Sequence, residues 1–72
     1  MSATGFEHQV TGETPTRVSG TVYTTVWEPI TDTAQVFVNA KMMTRYSVTG
    51  NTFTFDEPLM NTDVVRISYR RE

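Results

Sequence analysis

The clearest pattern in the chain is a pair of short runs in which apolar and hydroxyl-bearing residues alternate. Tyr46–Thr49 (YSVT) and Thr52–Phe55 (TFTF) lie on either side of Gly50-Asn51. Side chains of a strand point to opposite faces with a period of two, so each run has one apolar row and one hydroxyl row. Gly-Asn favours a tight turn between strands because both residue types tolerate positive φ. The pattern therefore predicts a β-hairpin with one apolar face.

Three further stretches have the alternation of strands. Thr21–Trp27 (TVYTTVW) has apolar residues on both faces, Ala34–Asn39 (AQVFVN) follows it, and Val64–Tyr69 (VVRISY) is the last. The second and third stretches flank the hairpin in sequence, so we expect a meander with the hairpin at its centre. Asn39-Ala40 stands where Asn-Gly is usual in a hairpin, so we expect a looser turn there.

The predicted core is the set of apolar residues on the inward rows of these strands. It consists of Val22, Val26, Val36, Val38, Tyr46, Val48, Phe53, Phe55, Val65, Ile67 and Tyr69, with Trp27 and Phe37 on a second face. No segment of useful length has helical periodicity. About one residue in five is threonine, a β-branched type favoured in strands. We therefore expect an all-β fold, a small antiparallel β-sandwich or barrel-like meander with an extended N-terminal arm.

The N-terminal segment is polar and contains few large apolar side chains, of which Phe6 and Val10 are two. Such a segment buries too little surface to offset its ordering entropy alone. It is either a disordered tail or an extended arm that is ordered against a neighbouring subunit. A short strand over Phe6–Val10 fits an edge of its own chain or of a partner. We therefore divide the chain into an arm, residues 1–20, and a β-sandwich-like module, residues 21–72.

Composition limits the ways in which so short a chain is stabilised. With 72 residues and no cysteine, it has neither disulfides nor thiolate metal sites, and its single histidine, His8, cannot form a zinc cluster alone. A chain of this length buries only about 60% of its unfolded surface. Charged residues make up 19% of it, which is fewer than the typical quarter. Association with copies of itself or with partners is the remaining source of stability, so we expect a homo-oligomer.

The sequence has no group of residues that suggests catalysis. His8 is the one candidate general base, and it lies in the least structured segment. Asp56, Glu57 and Asp63 bracket one connection, but their spacing matches no calcium-binding loop. No glycine motif for phosphate binding occurs. We therefore expect a protein that is not an enzyme and that has no cofactor and no bound metal.

The same sequence argues against membrane association. No apolar run approaches the about 20 residues that a transmembrane helix needs. The segment MSATGFEHQV has neither the basic start nor the apolar centre of a signal peptide. We expect a soluble chain that is made in the cytoplasm.

Charge and edge chemistry indicate protein partners. Arg66, Arg70 and Arg71 cluster near the last strand, but a pI of about 5.2 argues against nucleic-acid binding, which requires a basic face. An acidic N-terminal segment that pairs with this basic strand, on a neighbouring copy or within one chain, accounts for the same charges. Hydroxyl rows and a single lysine, Lys41, leave the predicted sheet edges unguarded. Either closure of the sheet hides these edges or another chain covers them, and we favour strand addition between subunits.

Three sequence elements follow one another over residues 34–70, each occurring once. They are VFVN at Val36–Asn39, YSVTGNTFTF at Tyr46–Phe55, and a proline-containing loop followed by DVVRISY. This order resembles a small β module of structural proteins of tailed bacteriophages, especially tail fibres and other virion appendages. Ala40 and Thr62 stand where that module has glycine. The module has no catalytic residues to carry over, and the resemblance implies a virion building block.

The resemblance and the unguarded edges lead to one expected function. It is a non-enzymatic virion structural protein, either a capsid decoration (cement) protein or a small tail, neck or baseplate subunit. Its partners are expected to be copies of itself and other virion proteins, which it contacts through the arm and the sheet edges. The candidate interface residues are Phe6, Val10, Tyr23, Trp27, Arg66 and Arg70. The alternative is a carbohydrate- or receptor-binding β module in which exposed Tyr23, Trp27 or Phe37 stacks on a ligand.

Overall fold

Alternating apolar and polar residues produce eight strands in the computed structural model, which describes residues 8–72. The strands are β1 (His8–Glu13), β2 (Thr16–Arg17), β3 (Val22–Thr24), β4 (Gln35–Val38), β5 (Lys41–Met43), β6 (Tyr46–Thr49), β7 (Thr52–Phe55) and β8 (Val65–Arg71). About 51% of the described residues lie in strands, and none of them lies in a helix. Every strand pairing among them is antiparallel. The predicted all-β fold is confirmed.

The strands form two four-stranded sheets that pack face to face. The first sheet has the order β1-β8-β4-β5, and the second sheet has the order β2-β3-β7-β6. The β6–β7 hairpin therefore lies beside β3, while β4 and β8 lie in the opposite sheet. The expected meander centred on the hairpin is wrong. The apolar rows of β7 and β8 bury each other across the sandwich, which they could not do side by side in one sheet.

Residues 8–17 belong to the sandwich. β1 pairs with β8, with Val10 opposite Tyr69, and β2 pairs with β3. The N-terminal segment thus meets the basic last strand within one chain, and Val10 packs against the core of its own molecule. Residue 20 marks no boundary between an arm and a module, because the strands before it complete both sheets. Phe6, the other proposed anchor of the arm, lies outside the described residues.

A β-bulge at Gly12 bends β1. The register between β1 and β8 shifts by one residue between Val10 and Glu13. Gly12 has a φ of 65°, in the left-handed region that glycine tolerates, and its N–H donates a hydrogen bond to Ser68 Oγ at 2.9 Å. Beyond the bulge, Glu13 lies opposite the buried Ile67, so its side chain is on the inward face.

The core lies between the sheets. Its buried residues are Tyr23, Val36, Val38, Phe53, Phe55, Val65, Ile67 and Tyr69, and all but Tyr23 belong to the predicted core. Val26 and Val48 are 71% and 40% exposed, so their assignment to the core is wrong. In β3 it is Tyr23, opposite Phe53, that points inward, and Val22 is only half-buried. The strand ends at Thr24, so the alternation that would bury Val26 does not continue.

The turn between β4 and β5 is tight. Val38 lies opposite Lys41, which leaves only Asn39 and Ala40 in the turn, with φ values of 52° and 68°. Two positive φ values in a two-residue loop define a type I′ turn, so the expected looser turn is wrong. Asn39 holds this geometry because its side chain donates to Asp63 Oδ1 at 3.0 Å and accepts from the Val64 N–H at 2.9 Å. The hydrogen bond from Asn39, and then one from the Met60 N–H, lower the pKa of the Asp63 carboxyl, since they favour its charged form.

Replacing Ala40 by glycine should stabilise the protein. Left-handed backbone costs an L-residue about 1–2 kcal/mol, and glycine removes that strain. Glycine also adds about 0.4–1 kcal/mol of unfolded-state entropy cost, so we expect a net gain of up to about 1.5 kcal/mol. The midpoint of urea denaturation measures this change.

Gly50→Ala is the matched control for Ala40→Gly. Gly50 has a φ of 60°, and a Cβ atom there would meet no atom within 4 Å, so the substitution introduces backbone strain without a clash. We expect a net loss of up to about 1.5 kcal/mol, which is the strain less the entropy that alanine removes from the unfolded chain. Equal stability of Ala40→Gly and the unaltered protein would show that the strain at Ala40 does not exceed the entropy cost of glycine.

Candidate partner-binding site

An open cleft runs along one side of the sandwich, where each sheet ends in an edge strand. Its volume of about 650 Å³ lies within the usual range of about 300–1,000 Å³ for binding pockets. The lining comes from the β3–β4 loop, from β4 and β5, and from β6. The apolar part of that lining includes Ile30, Val36, Met42, Met43, Tyr46 and Val48. The cleft thus gives a partner access to inward-facing side chains of both sheets.

The edge of β6 offers unpaired backbone groups beside this cleft. The two-residue turn at Gly50 and Asn51 places Thr49 opposite Thr52, and this pair exchanges the first hydrogen bonds of the hairpin. Alternation along the ladder then directs the N–H and C=O groups of Tyr46 and Val48 away from β7. No other strand of the described chain pairs with β6 on that side. This edge is able to accept a further strand.

The rim of the cleft is acidic. Glu28 and Asp32 are its only charged residues among those described, and both belong to the β3–β4 loop. That loop is held in place by a turn in which the Thr33 N–H donates to Ile30 O at 3.1 Å, and the Ile30 N–H donates to Arg70 O at 2.8 Å. Two carboxylates on a fixed loop favour a positively charged partner.

The edges on the other side of the sandwich are guarded. β1 carries the bulge at Gly12, and β2 is only two residues long. Pro15, which is buried, lies between them and cannot donate a backbone hydrogen bond. Bulges, short strands and proline are the features by which soluble proteins prevent edge-to-edge pairing. The two sides of the sandwich therefore differ. On the cleft side β5 is short and carries Lys41, and the β6 edge is open to strand addition.

The outer face of the second sheet carries an uncharged threonine row. Thr16, Thr24, Thr52 and Thr49 lie opposite one another in turn across all four strands, β2, β3, β7 and β6. Neighbouring strands lie about 4.8 Å apart, so the row is a regular array of hydroxyl and methyl groups. It confirms the hydroxyl row predicted for the hairpin at Thr52, and it does not include Thr25, which is buried at 3% exposure.

The outer face of the first sheet combines apolar and basic residues. Phe37 lies opposite both Met42 and Arg66, and Gln9 lies opposite Arg70. Met42 is 58% exposed, Arg66 and Arg70 are exposed, and Phe37 is half-buried. The proposed interface residues Arg66 and Arg70 thus lie on the same face of β8, with Ser68 between them on that face.

Trp27 lies at the end of the sandwich, on the loop after β3, and is 47% exposed. The Arg71 guanidinium lies 4.1 Å from the centre of its ring, in a cation–π contact. Together they line a smaller pocket of about 410 Å³ that also includes Glu28 and Glu72. Arg71 therefore covers one face of the indole that a stacked ligand would use.

Tyr23 is not a surface residue. It is 4% exposed and packs edge-on against Phe55, with 5.4 Å between the ring centres. Its hydroxyl accepts a hydrogen bond from Arg17 Nε at 3.2 Å. The expectation that Tyr23 contacts a partner or a sugar is therefore wrong, because the inward register of β3 buries it.

Three residues of the cleft are not identified as site residues from the sequence. Val48 is predicted as a core residue, and Glu28 and Asp32 have no predicted role, yet they line its rim and its open edge. The alternation of YSVT identifies β6 as a strand, but not as an edge. That distinction depends on strand order, which the local pattern does not contain.

A partly buried hydrogen-bond network joins the two sheets at the end that carries Trp27. The hydroxyl of Tyr69, whose side chain is fully buried, donates to Glu13 Oε1 and accepts from the Trp27 N–H at 3.2 Å. The other carboxylate oxygen of Glu13 accepts from the Val26 N–H at 2.7 Å. Thr25 extends the network, since its N–H donates to Asn51 O at 3.0 Å and its carbonyl accepts from Asn51 Nδ2 at 2.8 Å.

Tyr69→Phe should destabilise the protein by about 1–3 kcal/mol, because the Trp27 N–H and one oxygen of Glu13 lose their partner in a partly buried place. Tyr46→Phe is the matched control, since that hydroxyl makes one hydrogen bond of 3.3 Å, to Ala34 O, and its residue is half-buried. We expect a smaller loss, of about 0.5–1.5 kcal/mol, for the control. Urea denaturation of both variants tests the difference, and equal losses would contradict the role given to the network.

Alkaline pH should lower the free energy of unfolding through the Tyr69 hydroxyl. Burial, and then the hydrogen bond and charge of Glu13, raise the pKa of Tyr69 above its usual value of about 10. Burial also raises the pKa of Tyr46. The stabilisation is complete below pH about 10 and is lost as the pH rises through the folded-state pKa values, because the unfolded chain loses these protons first. Denaturation midpoints between pH 8 and 11 should fall less steeply for Tyr69→Phe, and an unchanged slope would refute this assignment.

The described residues contain no group of three or more His, Asp and Glu side chains placed to hold a metal ion. They also contain no helix that is long and apolar enough to cross a membrane. Comparison of the chain with family models, with curated proteins and with solved structures found no match.

Proposed function

We propose that this chain is a non-enzymatic structural protein of a tailed-bacteriophage virion, either a capsid decoration (cement) protein or a small tail, neck or baseplate subunit. It joins copies of itself and other virion proteins through its sheet edges. The observation that carries the proposal is the unguarded edge of β6 beside an open cleft. A sandwich with guarded edges on one side and the open edge of β6 on the other fits a subunit that a neighbouring chain completes.

The sequence resemblance supports this proposal and now has a structural counterpart. The three recurring elements of residues 34–70 coincide with β4, with the β6–β7 hairpin and with β8. These strands provide most of the buried core, so the residues that carry the resemblance are also the ones around which the sandwich packs. The edge strands β5 and β6 also lie within this region.

The described part of the predicted arm is not free to reach a neighbour. Residues 8–13 and 16–17 are strands of their own sandwich. The sheet edge therefore becomes the principal contact in the proposal. A carbohydrate-binding function gains no support from the geometry, because Tyr23 is buried and Arg71 covers one face of Trp27.

In purified particles of the virus that encodes it, the chain should be present in many copies arranged with the symmetry of the capsid or tail. Mass spectrometry of the particles measures the copy number, and cryo-electron microscopy locates the subunit. We expect the β5–β6 side to face a neighbouring chain and the β1–β2 side to be free of strand pairing.

A non-structural protein of the same virus, detected in infected cells, provides the control for contamination of the particles. Presence of the chain in the infected-cell extract together with its absence from purified particles would refute the proposal. Specific binding of the isolated monomeric chain to a glycan array would favour the carbohydrate-binding alternative instead.

A further inference from the structure

We propose that the cleft accepts an extended segment of a different protein, which adds as a strand to β6 and carries apolar residues at alternate positions together with lysine or arginine. This inference rests on the proposed function for the nature of the partner, another virion protein, and adds the chemistry of the segment that binds. It follows from three properties of the cleft, namely its free backbone groups, its apolar floor and the sign of its charge.

The backbone of β6 sets the register of the bound segment. Tyr46 and Val48 direct their N–H and C=O groups outward, so the incoming strand pairs at these two residues. Both side chains are on the inward side, since they lie opposite Phe55 and Phe53. In a paired strand, residues opposite each other share a face, so the residues that meet Tyr46 and Val48 point into the cleft.

The floor of the cleft determines what those two side chains are. Val36 and Met43 face the cleft from the first sheet, and Tyr46 and Val48 face it from the second. Val48 is 40% exposed although it points inward, because no strand covers it. Two apolar side chains separated by one residue would cover this surface and remove it from water.

The charge of the rim selects between partners. Glu28 and Asp32 line the cleft, and no lysine or arginine occurs among its described lining residues. A basic residue of the segment that leaves the cleft near the β3–β4 loop meets these carboxylates. Residues 1–7 of a second copy, MSATGFE, contain no lysine or arginine and end in Glu7. The charge of the rim therefore disfavours the arm of this chain as the occupant.

The test uses the full chain and a capped eight-residue peptide that alternates valine with lysine or threonine. Two matched peptides serve as controls, one with glutamate in place of lysine and one with N-methylated valines, which cannot donate backbone hydrogen bonds. Titration followed by nuclear magnetic resonance measures affinity and locates the site. We expect the lysine peptide to bind at β6, at least about ten-fold more tightly than either control.

Amide hydrogen exchange provides a readout that is specific to strand addition. The N–H groups of Tyr46 and Val48 should exchange several-fold more slowly in the complex, because they gain partners. Those of Ser47 and Thr49 already pair with β7 and should change little. Binding that leaves the Tyr46 and Val48 amides unprotected would overturn the proposal.

Variants of the chain test the edge and the rim separately. Val48→Lys places an inward charge on the edge and should reduce binding at least about ten-fold, whereas Val18→Lys, at a 62% exposed valine that is no part of the cleft lining, should not. Asp32→Asn keeps a residue that tolerates the φ of 66° and should weaken binding by about two- to five-fold, in a salt-dependent way.

Three results would overturn the inference. One is equal binding of the lysine and glutamate peptides, and another is binding that maps to β1 or β2. The third is concentration-dependent protection of the Tyr46 and Val48 amides without any peptide, abolished by removal of residues 1–7, which would identify a second copy as the occupant. A chain that is present in particles but binds no peptide would refute this site and leave the proposed function standing. Peptide binding by a chain that is absent from particles would refute the proposed function and leave this binding site standing.

Discussion

The hydrogen bond from the buried Tyr69 hydroxyl to Glu13 is the interaction on which the arrangement of the sheets depends. A hydroxyl in this fully buried position costs free energy unless it has a partner, and the partner comes from the opposite end of the sequence. Glu13 reaches it only because the bulge at Gly12 turns its side chain inward. The same carboxylate then accepts the Val26 N–H and fixes the start of the β3–β4 loop. One polar group thus ties β1, β8 and the second sheet together.

This anchoring extends to the cleft. The β3–β4 loop is held at its start by Glu13 and Tyr69, and further along by Ile30, whose N–H donates to Arg70 O. The acidic rim formed by Glu28 and Asp32 lies between and beside these attachments, on the same loop. A binding surface on a fixed loop loses little entropy when a partner arrives. The core network therefore serves stability and, through the loop, the position of the charges that choose a partner.

The sequence predicts strands well here and their arrangement poorly, for a physical reason. Alternation along YSVT and TFTF depends on neighbouring residues, and Gly50 at the turn has the positive φ that its type indicates. Which strands share a sheet depends instead on contacts between distant residues. Val36 and Phe53 are both inward and apolar, and nothing local shows that they belong to opposite sheets. The predicted meander is wrong because it places β4 and β8 in the same sheet as the hairpin.

The same limit applies to the candidate site. Trp27, Arg66 and Arg70 are exposed, as a contact residue must be. Tyr23 is in the core because its face of β3 points inward, in place of the predicted inward row of Val22 and Val26. The tight turn at Ala40 was missed because its support comes from Asp63 and Val64, more than twenty residues further along the chain. The cleft itself is a property of two edges, and edges exist only once the sheets are assembled.

The pairing of β1 with β8 has a mechanical consequence. His8 lies opposite Arg71, so the two ends of the paired strands that are nearest the chain termini are adjacent at one end of the sheet. Antiparallel hydrogen bonds run perpendicular to the strands. A force that separates His8 from Arg71 would therefore load the bonds one at a time and open the sheet like a zipper. A force applied along the β6 edge would load all the bonds of that edge together, in shear. A strand added to β6 would therefore bear tension along that edge better than the β1–β8 pair bears tension between His8 and Arg71.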